Sequence, residues 1–242
     1  MSSYVTAECL GKVYTKDYAI KDVSFTVKEG EVFGFLGPNG AGKTTTLRIM
    51  CGILDPTEGR CTVGGYDTVK DKIRVKEITG YLPEEDFLYG EMTVRDHLTY
   101  IGELYGVSGL DGKVRDTLKT VDMEDRIDDV IKTLSKGQRR RVAIAKTLIH
   151  DPKIVLLDEV TSGLDPVYAR RMTEVVRGLH KSGKTVVFST HLLDEATDLC
   201  DRILVIDKGR IKACGTLKEI RDRTGTESLR DAFFKLIGEG RD

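Results

Sequence analysis

The sequence predicts an α/β protein with a parallel-sheet core, an N-terminal antiparallel β subdomain and an inserted α-helical subdomain. Three observations predict this class. The last third alternates apolar runs of strand length with helical segments, and the middle carries apolar residues at helical spacing. The first thirty residues are rich in Val, Tyr, Phe and Ile. Strands that alternate with helices form parallel sheets with helices on their faces.

The N-terminal third contains three predicted strands and one helix. Residues 4–13 and 19–27 have partly alternating apolar residues, as strands with one solvated face do. After a turn at Glu29-Gly30, residues 31–36 form a short apolar run that is typical of a buried parallel strand. A glycine-rich loop follows, and we expect a helix over 43–53.

The middle of the chain, 87–150, is predicted to be an inserted helical lobe. Thr93 and Asp96 have the spacing of a capping box, as do Ser135 and Gln138. Two apolar stripes at helical spacing follow the first of these caps. The stripes consist of Leu98, Ile101 and Leu104/Tyr105, and of Val114, Leu118 and Val121.

The last third contains three further predicted strands, 154–157, 185–188 and 203–206. Between the first two lies a predicted helix over 166–180, with Asp165 as its cap, Pro166 in its first turn and Gly183 at its stop. The tail after Thr216 is predicted to be helical, with an apolar stripe of Leu229, Phe233 and Leu236 or Ile237. We expect one domain over 1–242: a core of 1–86 and 151–216, the helical lobe 87–150 and the tail 217–242.

Composition excludes several classes of protein. The 38 basic residues nearly balance the 39 acidic ones, so we expect no nucleic-acid partner. The five cysteines are scattered and lack a CxxC pair, which argues against a zinc site or a disulfide scaffold and favours a reducing compartment. No signal peptide and no apolar stretch of about 20 residues is evident, so the chain itself is not expected to span a membrane.

The most specific motif is a GxxxxGK[ST] pattern placed between a predicted strand and a predicted helix. In this P-loop the glycines let successive N–H groups point at phosphate oxygens, and the helix N-terminus adds partial positive charge. Lys43 is predicted to neutralise the β- and γ-phosphates, and the Thr44 hydroxyl to ligate Mg²⁺. The predicted nucleotide-binding residues are Gly37, Pro38, Asn39, Gly40, Ala41, Gly42, Lys43, Thr44 and Thr45.

A second motif is the apolar run 154–157 followed by two carboxylates, the Walker B arrangement. Asp158 is predicted to bind Mg²⁺, and Glu159 to act as the general base that polarises the attacking water. An apolar strand with a solvated acidic turn would give the same pattern, but the P-loop earlier in the chain favours the functional interpretation. Together the two motifs predict a P-loop NTPase with a RecA-like core and with ATP and Mg²⁺ as ligands.

Further motifs resemble those of ABC ATPases, in the order of that family from Tyr14 to about Gly215. Residues 134–138, LSKGQ, resemble the signature LSGGQ with Lys136 in place of a glycine. The resemblance implies that this helix start contacts the γ-phosphate of ATP held by another subunit. The implied contacts are Ser135, Gly137 and Gln138.

Four other positions take their roles from the same resemblance. His191 resembles the H-loop histidine, which contacts the γ-phosphate and keeps the water and Glu159 in register, so we count it as catalytic with Glu159 and Lys43. Asp165 ends the D-loop-like Ser-Gly-Leu-Asp, and Tyr14 resembles the aromatic that stacks on adenine. Glu84 stands at the glutamine position of the Q-loop, where its carboxylate can still ligate Mg²⁺.

The resemblance implies the ATP-hydrolysing subunit of a transporter that dimerises, with itself or with a paired ATPase subunit, around two MgATP. The YLPEE form around Glu84 resembles the branch that works with ABC-2-type permeases, many of them exporters. We therefore expect a separate permease partner and a location on the cytoplasmic face of the cell membrane. Two alternatives stay open, a soluble ABC ATPase without a transport role and a nucleotide-gated binding module with little hydrolysis.

Overall fold

Two sheets with different strand directions organise the computed structural model, which describes residues 3–162 and 166–238. The first sheet is antiparallel, with the order β2-β1-β4-β5, and the second has six strands in the order β10-β9-β3-β8-β7-β6. The strands are β1 (Ser3–Tyr14), β2 (Asp17–Lys28), β3 (Val32–Leu36), β4 (Glu58–Val63), β5 (Tyr66–Asp67), β6 (Thr79–Leu82), β7 (Ile154–Asp158), β8 (Thr185–Thr190), β9 (Arg202–Asp207) and β10 (Arg210–Gly215).

The helices pack on the two sheets and, in the middle of the chain, on one another. Short 3-10 turns at Glu124–Arg126 and Ile131–Thr133 lie between the fourth and fifth helices. The helices of the described residues are α1 (Lys43–Met50), α2 (Lys72–Ile78), α3 (Val94–Leu104), α4 (Leu110–Thr120), α5 (Lys136–Leu148), α6 (Pro166–Lys181), α7 (Leu193–Leu199), α8 (Leu217–Thr224) and α9 (Leu229–Ile237). No helix among these residues is long and apolar enough to cross a membrane.

The central strands are buried on both faces, which explains their continuous apolar sequences. Every residue of β3, β7 and β8 is buried, and these strands pair in parallel with one another and with β6 and β9. Successive residues of β8 point to opposite faces of the sheet and pack into different hydrophobic clusters. Val187 packs with α1 and the antiparallel sheet, and Phe188 packs with α3–α6. Among the described strands of this six-stranded sheet, only β10 runs antiparallel to its neighbour, and it lies at the sheet edge.

The structure confirms the predicted fold class, and it also shows where the elements differ from the predictions. The first helix ends at Met50 rather than at residue 53, and the sequence reading missed β4, β5, β6 and β10. In the part of the tail that the structure describes, up to residue 238, there are two helices, with Leu229 and Phe233 buried as predicted. The Ser135–Gln138 capping box is confirmed in both directions.

The predicted apolar stripe of α3 was wrong at its C-terminal end. Leu98 is fully buried, but Leu104 is 66% exposed and Tyr105 is 43% exposed. Ile101 still packs against the core and Gly102 is buried, so the exposed part is confined to the very end of the helix. At its start Thr93 accepts a hydrogen bond from the Asp96 N–H at 3.1 Å, which is half of the predicted box; among the described groups no reciprocal bond from Asp96 forms.

We predict that Leu98→Ala lowers the free energy of unfolding by about 2–5 kcal/mol, because it removes a fully buried side chain and leaves a cavity. Chemical denaturation measures the change. Leu104→Ala on the same helix is the matched control and should stay within about 0.5 kcal/mol of the unsubstituted protein. Equal losses in the two variants would contradict this burial pattern.

Candidate functional site

The loop between β3 and α1 has a backbone that only glycine permits at two positions. A Cβ on Gly37 would lie 2.2 Å from the Ile206 carbonyl oxygen. Gly42, the N-cap of α1, has φ +106, and a Cβ there would lie 2.8 Å from the Ala19 carbonyl oxygen. The chain therefore turns tightly onto the helix start, as a phosphate-binding loop requires.

A cavity of about 510 Å³ opens beside this loop. It combines the N-terminus of α1 with side chains from the ends of neighbouring parallel strands, the usual place for ligands in open α/β sheets. Its lining includes seven of the nine predicted P-loop residues and three other predicted site residues. The lining residues are Ala19, Asn39, Gly40, Ala41, Gly42, Lys43, Thr44, Thr45, Glu84, Glu159, Ser162 and His191.

Lys43 is buried at the base of this cavity. Its ammonium donates hydrogen bonds to the carbonyl oxygens of Gly37 at 2.7 Å and Pro38 at 3.1 Å. The third contact is an ion pair with Glu159, with Nζ 3.1 Å from Oε1. Because that oxygen is buried without an aligned hydrogen bond, the contact is electrostatic, and a phosphate oxygen can take the place of the carboxylate.

Asp158 ends β7 inside a set of hydroxyl donors. Thr44 donates to its Oδ1 at 3.1 Å, and Ser189 of β8 donates to the same oxygen at 2.6 Å. Tyr81 of β6 donates to Oδ2 at 3.3 Å. Burial first, and then the charge of Asp158, raises the pKa of Tyr81, so its hydroxyl stays protonated and remains a donor.

Glu159 lies one residue beyond the strand, in a left-handed backbone conformation with φ +48. Such a conformation is costly for a residue with a side chain and persists where its surroundings enforce it. Its N–H donates to the Ser189 hydroxyl at 3.0 Å, and its Oε2 lies 2.8 Å from His191 Nδ1. The carboxylate thus faces the cavity between the ammonium of Lys43 and the ring of His191.

Arg140 is a functional candidate that the sequence analysis missed. This α5 side chain is 4% exposed, and its guanidinium donates to the carbonyl oxygens of Asp158 at 3.0 Å and Glu84 at 3.0 Å. It also forms an ion pair with Asp86 at 2.9 Å. The one available signal was the run of three arginines, 139–141, because a helix that packs on a sheet cannot expose all three.

The predicted signature residues and Tyr14 do not line the cavity of their own chain. Ser135 is exposed at the start of α5. Gly137 is buried against the ring of Tyr168, and a Cβ on Gly137 would lie 2.8 Å from the nearest ring atom.

The other predicted positions differ in where they lie. Tyr14 is 47% exposed, with Lys12 Nζ 5.6 Å from its ring centre. Glu84 does line the cavity, whereas Asp165 lies outside the described residues.

Comparison with known sequences gives the family. A family model described as ABC transporter matches residues 20–162. The linearmycin resistance ATP-binding protein LnrL of Bacillus subtilis is 38% identical over 235 residues, which are 96% of this chain and 76% of LnrL. The ABC transporter ATP-binding protein NatA of the same organism is 40% identical over 225 residues, 92% of each chain.

Solved structures agree with this result. A structure described as the ATP-binding subunit of an ABC transporter superposes with a TM-score of 0.88 at 30% identity, covering 97% of this chain and 99% of that one. The dimeric post-hydrolysis state of the ATP-binding cassette MJ0796 with ADP and Pi gives a TM-score of 0.80 at 27% identity, covering 88% and 98%. This chain therefore belongs to the ABC transporter family, as an ATP-binding and ATP-hydrolysing subunit.

Proposed function

We propose that the chain hydrolyses MgATP at the cavity beside the P-loop, with Lys43, Glu159 and His191 as its reacting groups. The observation that carries the proposal is the convergence of these three side chains: Glu159 lies 3.1 Å from the ammonium of Lys43 and 2.8 Å from the ring of His191. Residues 39–45 line the same cavity, and their backbone amides can serve as a cradle for phosphates.

The residues present fit Mg²⁺. Thr44 and Asp158 supply hard oxygen ligands that already lie 3.1 Å apart, and Glu84 adds a carboxylate to the cavity wall. No cluster of three or more acidic, His or Cys side chains able to hold a metal occurs in the described ranges. That suits Mg²⁺, which takes one or two protein ligands together with substrate phosphates and waters. When bound, the ion would neutralise negative charge on the phosphates.

Glu159 is placed to remove a proton from water. Its Oε1 is buried without an aligned hydrogen bond and lies 3.1 Å from the Lys43 ammonium, so its lone pairs become available once that ammonium turns to another partner. Phosphate oxygens compete with this carboxylate for the ammonium of Lys43, so nucleotide binding releases Glu159 for its role as base. The ring of His191 holds Oε2 from the other side, which fixes the direction in which Oε1 faces.

We further propose that two chains are needed for each active site. Ser135, Gly137 and Gln138 do not line the cavity of their own chain, although Ser135 caps the start of α5, where backbone N–H groups favour an anion. A two-fold dimer would bring this helix start to the ATP of the partner, and we propose Asp165 as a further cofactor-binding residue. The dimeric state of the similar cassette MJ0796 supports this arrangement.

Tyr14 is our candidate for the adenine contact.

The proposed role of the cycle is to power transport through a separate membrane permease of the ABC-2 type, on the cytoplasmic face of the membrane. ATP bridges the closed dimer, hydrolysis removes the bridge, and the permease responds to opening and closing. The name of LnrL, a resistance protein, supports export.

We assign 87–150 as the helical signature subdomain, 1–86 with 151–216 as the nucleotide core, and 217–242 as a tail.

A pull-down from native membranes tests this proposal. Tagged Glu159→Gln protein, which should hold MgATP without turnover, is compared with tagged Lys43→Ala protein, which should bind it much more weakly, at an ATP concentration that saturates only the first. We expect a multi-span membrane protein in stoichiometric amount, identified by mass spectrometry, to be retained by the first variant. Recovery of soluble partners alone would contradict the transport role and favour a soluble ABC ATPase.

A further inference from the structure

The proposed reacting groups Glu159 and His191 follow the ends of two neighbouring strands, and two sets of side-chain hydrogen bonds connect these strand ends. β7 and β8 are parallel neighbours with Asp158 opposite Ser189. Glu159 follows the first strand and His191 follows the second. The first connection is the Ser189 hydroxyl, which donates to Asp158 and accepts from the Glu159 N–H. This connection reaches the first residue after β7, but it includes no residue of the loop after β8.

The second connection is Glu195, in the first turn of α7, to which none of the motifs assigns a role. Its two carboxylate oxygens accept one hydrogen bond each, from Thr161 at Oε1 and from Thr190 at Oε2, the latter at 2.6 Å. Thr161 is two residues beyond Glu159, and Thr190 immediately precedes His191. Glu195, itself in the helix that follows β8, therefore joins the loop after β7 to the last residue of β8, directly before His191.

In both hydrogen bonds to Glu195 the threonine hydroxyl is the donor. An ionised carboxylate only accepts hydrogen bonds, so both threonine hydroxyls must donate to it. The Thr190 oxygen then accepts the Leu192 N–H at 3.0 Å, which orders the backbone on the far side of His191. Thr161 and Thr190 are 7% and 1% exposed, so solvent cannot easily replace the carboxylate as a partner.

We propose that Glu195 is a positioning residue for hydrolysis, one that fixes the distance between the Glu159 carboxylate and the His191 ring by tying the loop that bears Glu159 to the strand end directly before His191. The inference rests on the proposed roles of Glu159 and His191. Glu195 does not line the nucleotide cavity, so its influence reaches the reaction through Thr161 and Thr190 rather than through contact with ATP.

The position of Glu159 makes this restraint consequential. A backbone with φ +48 persists only while the surroundings hold it, and Thr161 is part of the same turn, in which the Ser162 N–H donates to the Glu159 carbonyl at 3.1 Å. Release of the turn frees the carboxylate to move away from His191. A displacement of about 1 Å of a reacting group is enough to slow a reaction roughly a hundredfold.

The test compares the kinetics of Glu195→Ala with those of Asp194→Ala, its exposed neighbour in the same turn, which removes the same charge from α7. We expect Glu195→Ala to lower kcat roughly ten- to hundredfold with KM for ATP changed less than about twofold. Asp194→Ala should leave both values unchanged. A role confined to anchoring α7 would instead lower the unfolding temperature without a selective loss of kcat.

Valine substitutions separate positioning from general damage and serve if Glu195→Ala does not fold. The double variant Thr161→Val/Thr190→Val keeps the side-chain shape and removes both donors, and it should reproduce the kcat loss. Adding Glu195→Ala to it should cause no further loss, since the three groups act as one unit. Thr161→Ser/Thr190→Ser keeps both hydroxyls and should retain turnover.

Two outcomes distinguish this inference from the proposed function on which it rests. Normal turnover of Glu195→Ala beside a strongly impaired Glu159→Gln would overturn the positioning role alone, as would fully additive losses in the triple variant. Undiminished turnover of Glu159→Gln would overturn the proposed base, and with it the reason for positioning one.

Discussion

Glu159→Gln should lower ATP turnover by roughly a hundred- to ten-thousandfold while ATP binding is retained. The amide keeps the shape of the side chain and an oxygen that can face His191, but it cannot take a proton from water. The Lys43 ammonium, which meets the carboxylate as an ion pair in the structure, remains available to phosphate. Single-turnover hydrolysis measures the chemical step, and equilibrium titration with ATP measures binding.

The matched control for this prediction is Asp194→Asn, which changes an exposed carboxylate in the same way without touching the cavity. It should hydrolyse ATP at the normal rate. Turnover of Glu159→Gln close to that of the unsubstituted protein would remove Glu159 from the role of base. Loss of ATP binding in that variant would mean that the carboxylate serves the nucleotide rather than the water.

Lys43→Ala should weaken ATP binding by roughly ten- to a hundredfold, because it removes a charge-assisted hydrogen bond to phosphate that is worth about 1.5–3 kcal/mol. The Gly37 and Pro38 carbonyl oxygens, which now accept from this ammonium, would lose their donor as well. Turnover should fall with binding. Titration with ATP, alongside thermal unfolding without nucleotide, separates lost affinity from lost structure.

Lys181→Ala, an exposed substitution at the end of α6, is the control for removal of one positive charge. Its ATP affinity should not change. An unaltered affinity of Lys43→Ala would contradict the phosphate-cradle interpretation of the loop. A lowered unfolding temperature with unaltered affinity would instead assign Lys43 to the neutralisation of buried Glu159.

The sequence predicted the parallel core well because its strands are buried on both faces and therefore appear as uninterrupted apolar runs. It predicted β4 and β10 poorly, since β4 is exposed along its first half and β10 lies at a sheet edge, where polar residues such as Arg210 are allowed. The Leu104 error has a related cause. Helical spacing identifies a stripe, but not the point at which the helix extends beyond the core it covers.

The site was predictable where one continuous segment supplies all the binding residues, as in the loop from Gly37 to Thr44. It was not predictable where residues that are distant in the sequence come into contact in the fold. Arg140 reaches the carbonyl oxygen of Asp158, 18 residues away, and Glu195 joins Thr161 to Thr190, which lie apart along the chain. Such contacts depend on which strands become neighbours, and spacing within a motif does not encode that.

ATP hydrolysis should depend on protein concentration, because a site made from two chains requires their association. The specific activity should rise with protein concentration toward a plateau, and light scattering of Glu159→Gln with MgATP should give twice the mass of one chain. Lys43→Ala under the same conditions should stay at the mass of one chain. A constant specific activity down to the lowest concentrations, from a species with the mass of one chain, would show that one chain carries a complete active site.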